Sequence, residues 1–241
     1  MINVNPVIIE SLILFAFCGL GAIVSRGKVD WKWIGLAVLT YAAHKFITFA
    51  AMHPLIIDLL PGRYNWEGKI LGSVFVLVIG LLVCKGNAAA FGWTLKQNGP
   101  AVKAGYTVAA FTFIATAMFM YWYFPGTQSA PTADWLYQMT MPSIDEELLY
   151  RGVMLLMLTR AFKPSFTLVG APFGIAVIIS ILMFYATHIV GVSADWTVTV
   201  NWLNIISLFY GMLWVYVRVA TGSLLLPILL HSWANTANYI L

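Results

Sequence analysis

Eight apolar stretches run through this chain of 241 residues, each close to the roughly 20 residues that a helix needs to cross a bilayer. They occupy about 6–25, 33–53, 69–84, 103–124, 142–162, 171–191, 201–219 and 223–241. In hydrocarbon the backbone must satisfy its own polar groups, which helices do within a single segment. The sequence therefore predicts an all-α fold, a polytopic transmembrane helix bundle of about eight spans. Composition agrees: 61% of residues are apolar and 9% charged, where a soluble domain carries about 25% charged residues. So little charge cannot cover a water-facing surface, which excludes a soluble globular fold, a disordered chain, a nucleic-acid binder and a collagen-like fibre. Ten Trp and eleven Tyr are the amphipathic aromatics that collect at membrane interfaces. The stretch 54–68, broken by Pro54, Pro61 and Gly62, reads as a lip or half-inserted loop. With no internal repeat and no linker, residues 1–241 are expected to form a single integral-membrane domain.

The basic residues orient such a bundle. Arg26, Lys28, Lys32, Lys85, Lys96, Lys103, Arg160, Lys163 and Arg218 fall in the odd connections, and only Arg63 and Lys69 in the even ones and the termini. Positive loops stay cytoplasmic, so eight spans in a plasma (inner) membrane, with both termini outside, are expected. Glu10 interrupts the first apolar run and no positive charge precedes it, so that run is expected to be a retained helix rather than a cleaved signal. Cys18 and Cys84 each sit in an apolar run without ligand spacing and read as small buried side chains.

Ionisable groups within spans are costly and mark functional sites by default. They are Glu10, His44, Lys45, Asp145, Glu146, Glu147, Arg151, His188 and His231, and six of these nine lie in the last hundred residues. His44 and Lys45 stand apart: Lys45 is expected to snorkel or to pair with an acid such as Glu10, and His44 to pack. His53, before Pro54, carries little information.

The fifth stretch opens Pro142-Ser143-Ile144-Asp145-Glu146-Glu147-Leu148-Leu149-Tyr150-Arg151. Ser143 and Glu146 have the spacing of a capping box, and Glu147 and Arg151 that of an i,i+4 ion pair. The cap accounts for one carboxylate, while a buried Glu147–Arg151 pair costs several kcal/mol of desolvation per ion. That cost suggests that Arg151 fixes Glu147 while Glu146, about 100° around the helix, faces something else. Phe184 and His188 close the sixth span, where a core histidine is the plainer alternative. His231 and Asn235 lie one turn apart on the eighth, placed either to hold an oxyanion or to bond neighbouring helices.

The set Glu-Glu-x-x-x-Arg, Phe-x-x-x-His and His-x-x-x-Asn on successive late helices resembles the CPBP family of intramembrane endopeptidases, which includes the type II CAAX prenyl proteases. Tyr150 and Gly152 extend the first motif as many bacterial members do, and the resemblance covers about 142–238 as the catalytic part. It implies peptide-bond hydrolysis with Glu146 as general base, His188 helping to activate a water, and His231 with Asn235 stabilising the oxyanion. Glu147, Arg151, Phe184 and Tyr150 would support the site. Zinc on Glu146, His188 and His231 is the alternative to a cofactor-free glutamate mechanism; the chain has no HExxH, and Asn235 suits hydrogen bonding better than ligation.

Loop charges send Glu146 and His188 toward the outer half of the membrane. His231, about 12 Å from the cytoplasmic face, should lie deeper unless the fifth helix starts early, near Trp135. An outward-opening site favours a membrane-anchored, lipidated or exported peptide over a cytosolic prenyl substrate. Two other functions fit the chain: a non-catalytic membrane binding or immunity protein of the same fold, and a small transporter using the buried charges.

Overall fold

The computed structural model describes residues 3–25, 29–51, 64–123 and 131–240. Eight helices make up most of these residues, as the hydropathy pattern requires. They are α1 (Asn5–Val24), α2 (Trp31–Ala51), α3 (Trp66–Val83), α4 (Val102–Tyr123), α5 (132–161), α6 (Ile175–Ile189), α7 (Ile206–Thr221) and α8 (Leu225–Thr236). The first four, and α7 with the 3-10 turn that leads into it (Trp202–Thr221), are long and apolar enough to cross a membrane. Leu12, Ile23, Leu39 and Phe111 stand exposed on their flanks. In water such a surface would aggregate; against lipid it is the expected solvent-facing side. The protein is a multi-pass membrane protein. Much of the lip at 54–68, with His53, Arg26, Lys28 and Arg63, lies outside the described residues.

Three spans differ from their expected limits. α5 begins at Thr132, directly after Pro131, and not at 142. Pro142, which looks like a start signal, lies inside the helix. The Ser143 hydroxyl donates to the carbonyls of Met139 and Thr140 and meets Ser232 Oγ at 2.8 Å, so the capping-box reading is wrong. The sixth span loses its first residues to a hairpin, β1 (Phe166–Leu168) against β2 (Ala171–Phe173), with Phe166 opposite Phe173. Gly170, at φ 81°, makes the turn, and Pro172 resists incorporation into a helix. The last span is helical for only 12 residues, a rise of about 18 Å. It ends in the 3-10 turn Ala237–Tyr239.

α5 runs through the centre and packs against α2, α3, α6 and α8. Its middle, Glu147–Met154, is wound as a π-helix whose eight residues are all buried. A π-segment adds a residue per turn and is frequent at functional sites. Here it follows Glu146 directly. α1–α2 and α6–α7 flank this centre, and α4 closes on α7 and α8.

The connections gather at two ends. The Asp30 amide donates to Ala161 O, Arg160 to Val83 O, Gly99 N to Thr221 O and Leu224 N to Gly92 O, so four connections share one end. That end carries Lys32, Lys85, Lys96, Lys103, Arg160, Lys163 and Arg218, as the charge pattern requires. At the other end Asn5 donates to Ser193 O and Ala194 O, in the turn between β3 (Val190–Val192) and β4 (Val198–Val200). α7 and α8 meet in a tight turn at Gly222, whose φ of 78° suits glycine. The turn reverses the chain and carries α8, with His231, back toward α5.

Candidate active site

Glu146 lies fourteen residues past the start of α5, about 21 Å into that helix. The early start at Thr132 thus carries the acidic cluster deep enough to meet His231, six residues into α8. Glu146 and Glu147 occupy different surroundings from that point.

Glu146 faces a cavity of about 110 Å³ walled by His44, Lys45, Lys69, Asp145 and His188 among others. Its Oε1 accepts from Lys69 Nζ at 2.9 Å. Its Oε2 is buried with no hydrogen-bond partner among the described residues, and lies 3.8 Å from His188 Nε2. His188 Nδ1 is 2.7 Å from the Phe184 carbonyl. A carbonyl only accepts, so Nδ1 carries a proton, and in the neutral ring Nε2 is an acceptor. Two acceptors 3.8 Å apart repel if they touch and cooperate if a water between them donates one hydrogen to each.

Glu147 is fully buried. Its Oε1 accepts from Arg151 NH1 at 3.1 Å and meets His231 Nδ1 at 2.9 Å. The expected i,i+4 pair is present even in the π-wound stretch. Arg151 is also fully buried, and its guanidinium lies 3.8 Å from the Phe184 ring centroid. The negative face of the aromatic quadrupole stabilises a desolvated cation, which helps because Arg151 Nε and NH2 have no hydrogen-bond partner among the described residues. Phe184 also packs on His188, Tyr150 and His231, with centroids 4.3, 5.5 and 6.0 Å away. Trp214 of α7 stacks on His231 at 4.4 Å. Tyr150 donates to Thr187 Oγ1 at 3.0 Å, tying α5 to the turn that carries His188. Asn235 sits one turn beyond His231, half-buried, and its side chain makes no hydrogen bond among the described residues.

Three participants were not anticipated. Lys69 reads as a loop charge, yet it lies in the first turn of α3 and bridges Asp145 Oδ2 and Glu146 Oε1, each at 2.9 Å. The signal was there in Asn65, whose Oδ1 accepts from Gly68 N at 2.9 Å as an N-cap and starts the helix at Trp66. His44, expected to pack, instead puts Nε2 2.7 Å from Asp145 Oδ1. Asp145, fully buried, also accepts from Ser73 at 3.3 Å. Lys45 does pair with Glu10, at 2.9 Å, and Tyr41 donates to the same carboxylate oxygen.

Of the trio considered for zinc, Glu146 has Oε1 held by an ammonium and Oε2 turned to His188, while His231 gives Nδ1 to Glu147. Among the described residues no three His, Cys, Asp or Glu side chains come together as a metal site.

The structure is a helix bundle of membrane composition in which a carboxylate and a histidine face one polar cavity. Residues 127–237 match the family described as type II CAAX prenyl endopeptidase Rce1-like, and this match supports the resemblance to the CAAX protease (CPBP) family. The match supports a CAAX-type intramembrane endopeptidase in general terms. No curated protein and no solved structure matches the chain.

Proposed function

We propose that the protein hydrolyses a peptide bond of a membrane-anchored, lipidated or exported peptide, using a water activated by Glu146 and His188. The observation that carries this reading is the unpartnered Glu146 Oε2 facing His188 Nε2 at 3.8 Å inside a polar cavity. A water there donates to both groups and turns its lone pairs toward a substrate carbonyl. Glu146 takes the first proton as the water attacks, and His188 Nε2 takes the second and hands it to the leaving nitrogen as the C–N bond breaks.

His231 and Asn235 stabilise the oxyanion. With Nδ1–H on Glu147, His231 donates from Nε2 only when doubly protonated, and the Glu147 carboxylate is then its counter-ion. Arg151 and Phe184 hold Glu147 and the ring in place, and Tyr150 holds the His188 turn. This mechanism uses no metal: Lys69 holds one oxygen of Glu146, and the other takes the proton of the water.

Positive loops on the cytoplasmic side give both termini outside in a plasma membrane, with the cavity approached from the outer half. Impermeant labelling of cysteines placed at Lys96 and Thr132 tests this: labelling at 96 from outside reverses the orientation. The activity test compares wild type with Glu146→Ala, Glu146→Gln and His188→Ala on a membrane-peptide library. Cleavage that survives all three substitutions overturns the mechanism.

A further inference from the structure

The family match begins at residue 127, yet much of the polar wall around Glu146 comes from α2 and α3. Lys69 is the link. An ammonium has three hydrogens, and two carboxylates of α5 take two of them, Asp145 through Oδ2 and Glu146 through Oε1. Asp145 is in turn held by His44 from α2 at 2.7 Å and by Ser73 from α3 at 3.3 Å. Gly72 makes the His44 contact possible, because a Cβ at that position would lie 2.8 Å from His44 Nε2. The contacts thus run His44 to Asp145 to Lys69 and end on one oxygen of Glu146.

A carboxylate on an unrestrained side chain rotates, and either oxygen can face either way. Lys69 removes that freedom: Oε1 is occupied, and Oε2 is the oxygen left toward His188. Adjacent ionised carboxylates also repel in a poorly solvated site, and the ammonium between Asp145 and Glu146 offsets this. We infer that Lys69 is a positioning residue, which clamps Glu146 by one oxygen so that the other meets the water shared with His188. Asp145, His44 and Ser73 anchor the clamp. The part of the chain outside the family match therefore completes the catalytic geometry instead of only filling out the bundle. This rests on the role proposed for Glu146.

The test uses the full chain in lipid nanodiscs and a peptide that the wild type cleaves in the library assay. Lys69→Met is expected to lower kcat about 100-fold with KM within about threefold, since a misplaced catalytic group commonly costs that much. Lys69→Arg, which keeps the charge and two donors, is expected to stay within about tenfold of wild type. In Lys69→Ala, added ethylamine fills the vacated volume and is expected to restore turnover at least about tenfold, which a merely structural lysine would not permit. A kcat for Lys69→Met within about threefold of wild type, or no ethylamine rescue of Lys69→Ala, overturns the inference. Should Lys69→Met not fold, the ethylamine result on Lys69→Ala decides alone. Loss of cleavage in Glu146→Gln together with normal kcat in Lys69→Met sinks only the clamp. Cleavage surviving in Glu146→Gln sinks the reading beneath it.

Discussion

Glu146 rests one oxygen on Lys69 and turns the other into a cavity of about 110 Å³, while Glu147, the next residue, is sealed between Arg151 and His231 with no exposed surface. Both are glutamates on one helix, both have a cationic partner near 3 Å, and both have a histidine close by. Access and free coordination separate them. The Glu146 oxygen that has no partner faces space a water can enter, whereas the unpartnered oxygen of Glu147 is locked in a packed core. A carboxylate can act on substrate only if reacting atoms can reach it. The other member of the pair can act only through the groups it holds, here His231.

The comparison breaks most visibly in activity. Glu146→Gln keeps the shape and the Lys69 contact but removes the base, and is expected to lower kcat about 1,000-fold or more with little change in thermal stability. If unfolding of that variant shifts as much as its activity falls, the distinction between the two glutamates fails. Arg151→Met should do the reverse in first effect. It strands Glu147 and is expected to cost about 3–5 kcal/mol of stability, read by denaturant unfolding in mild detergent. A double variant, Arg151→Met with Glu147→Gln, removes the stranded charge and should recover part of that loss, while activity falls because His231 has then lost the carboxylate that holds its Nδ1.

Gly72→Ala probes the wall behind Glu146 from a distance. The added methyl would lie 2.8 Å from His44 Nε2 and 3.0 Å from Thr48 Oγ1, and the shift that relieves this crowding is expected to loosen the His44–Asp145 contact. The expected cost is about 1–3 kcal/mol of overpacking, with kcat falling about tenfold as the clamp loosens. Wild-type kinetics in this variant would mean that His44 does not support the site. A chelator during assay should have the smallest effect, a change in turnover of less than about twofold, because the proposed mechanism uses no metal. Loss of activity on chelation, restored by added zinc, would reassign Glu146 from base to ligand.

Much of this was legible without coordinates. Hydropathy marked the helices, and α1 to α4 lie within a few residues of the expected spans. The motif spacing singled out Glu146, Glu147, Arg151, His188 and His231, and the structure brings Glu146 to His188 and Glu147 to Arg151 and His231. The errors came where local signals conflict with packing. Pro142 and Ser143 look like a helix start, but the helix runs through them because its flanks pack on α3 and α8. Lys69 looked like an orienting loop charge because it stands at the edge of an apolar run, and the carboxylates that draw it inward lie 76 and 77 residues away. His44 and Trp214 carried no sign of their partners at all.

By itself the sequence determined the solvent, the number of helices and the residue types available for chemistry. These follow from hydropathy and charge summed over about 20 residues at a time, and such sums are local. Tertiary structure decided which glutamate keeps a free oxygen, which histidine faces it, and that a lysine from α3 holds it in place. Those outcomes depend on how α2, α3, α6 and α8 close around α5, and the spacing of residues along one helix says nothing about what another helix brings against it.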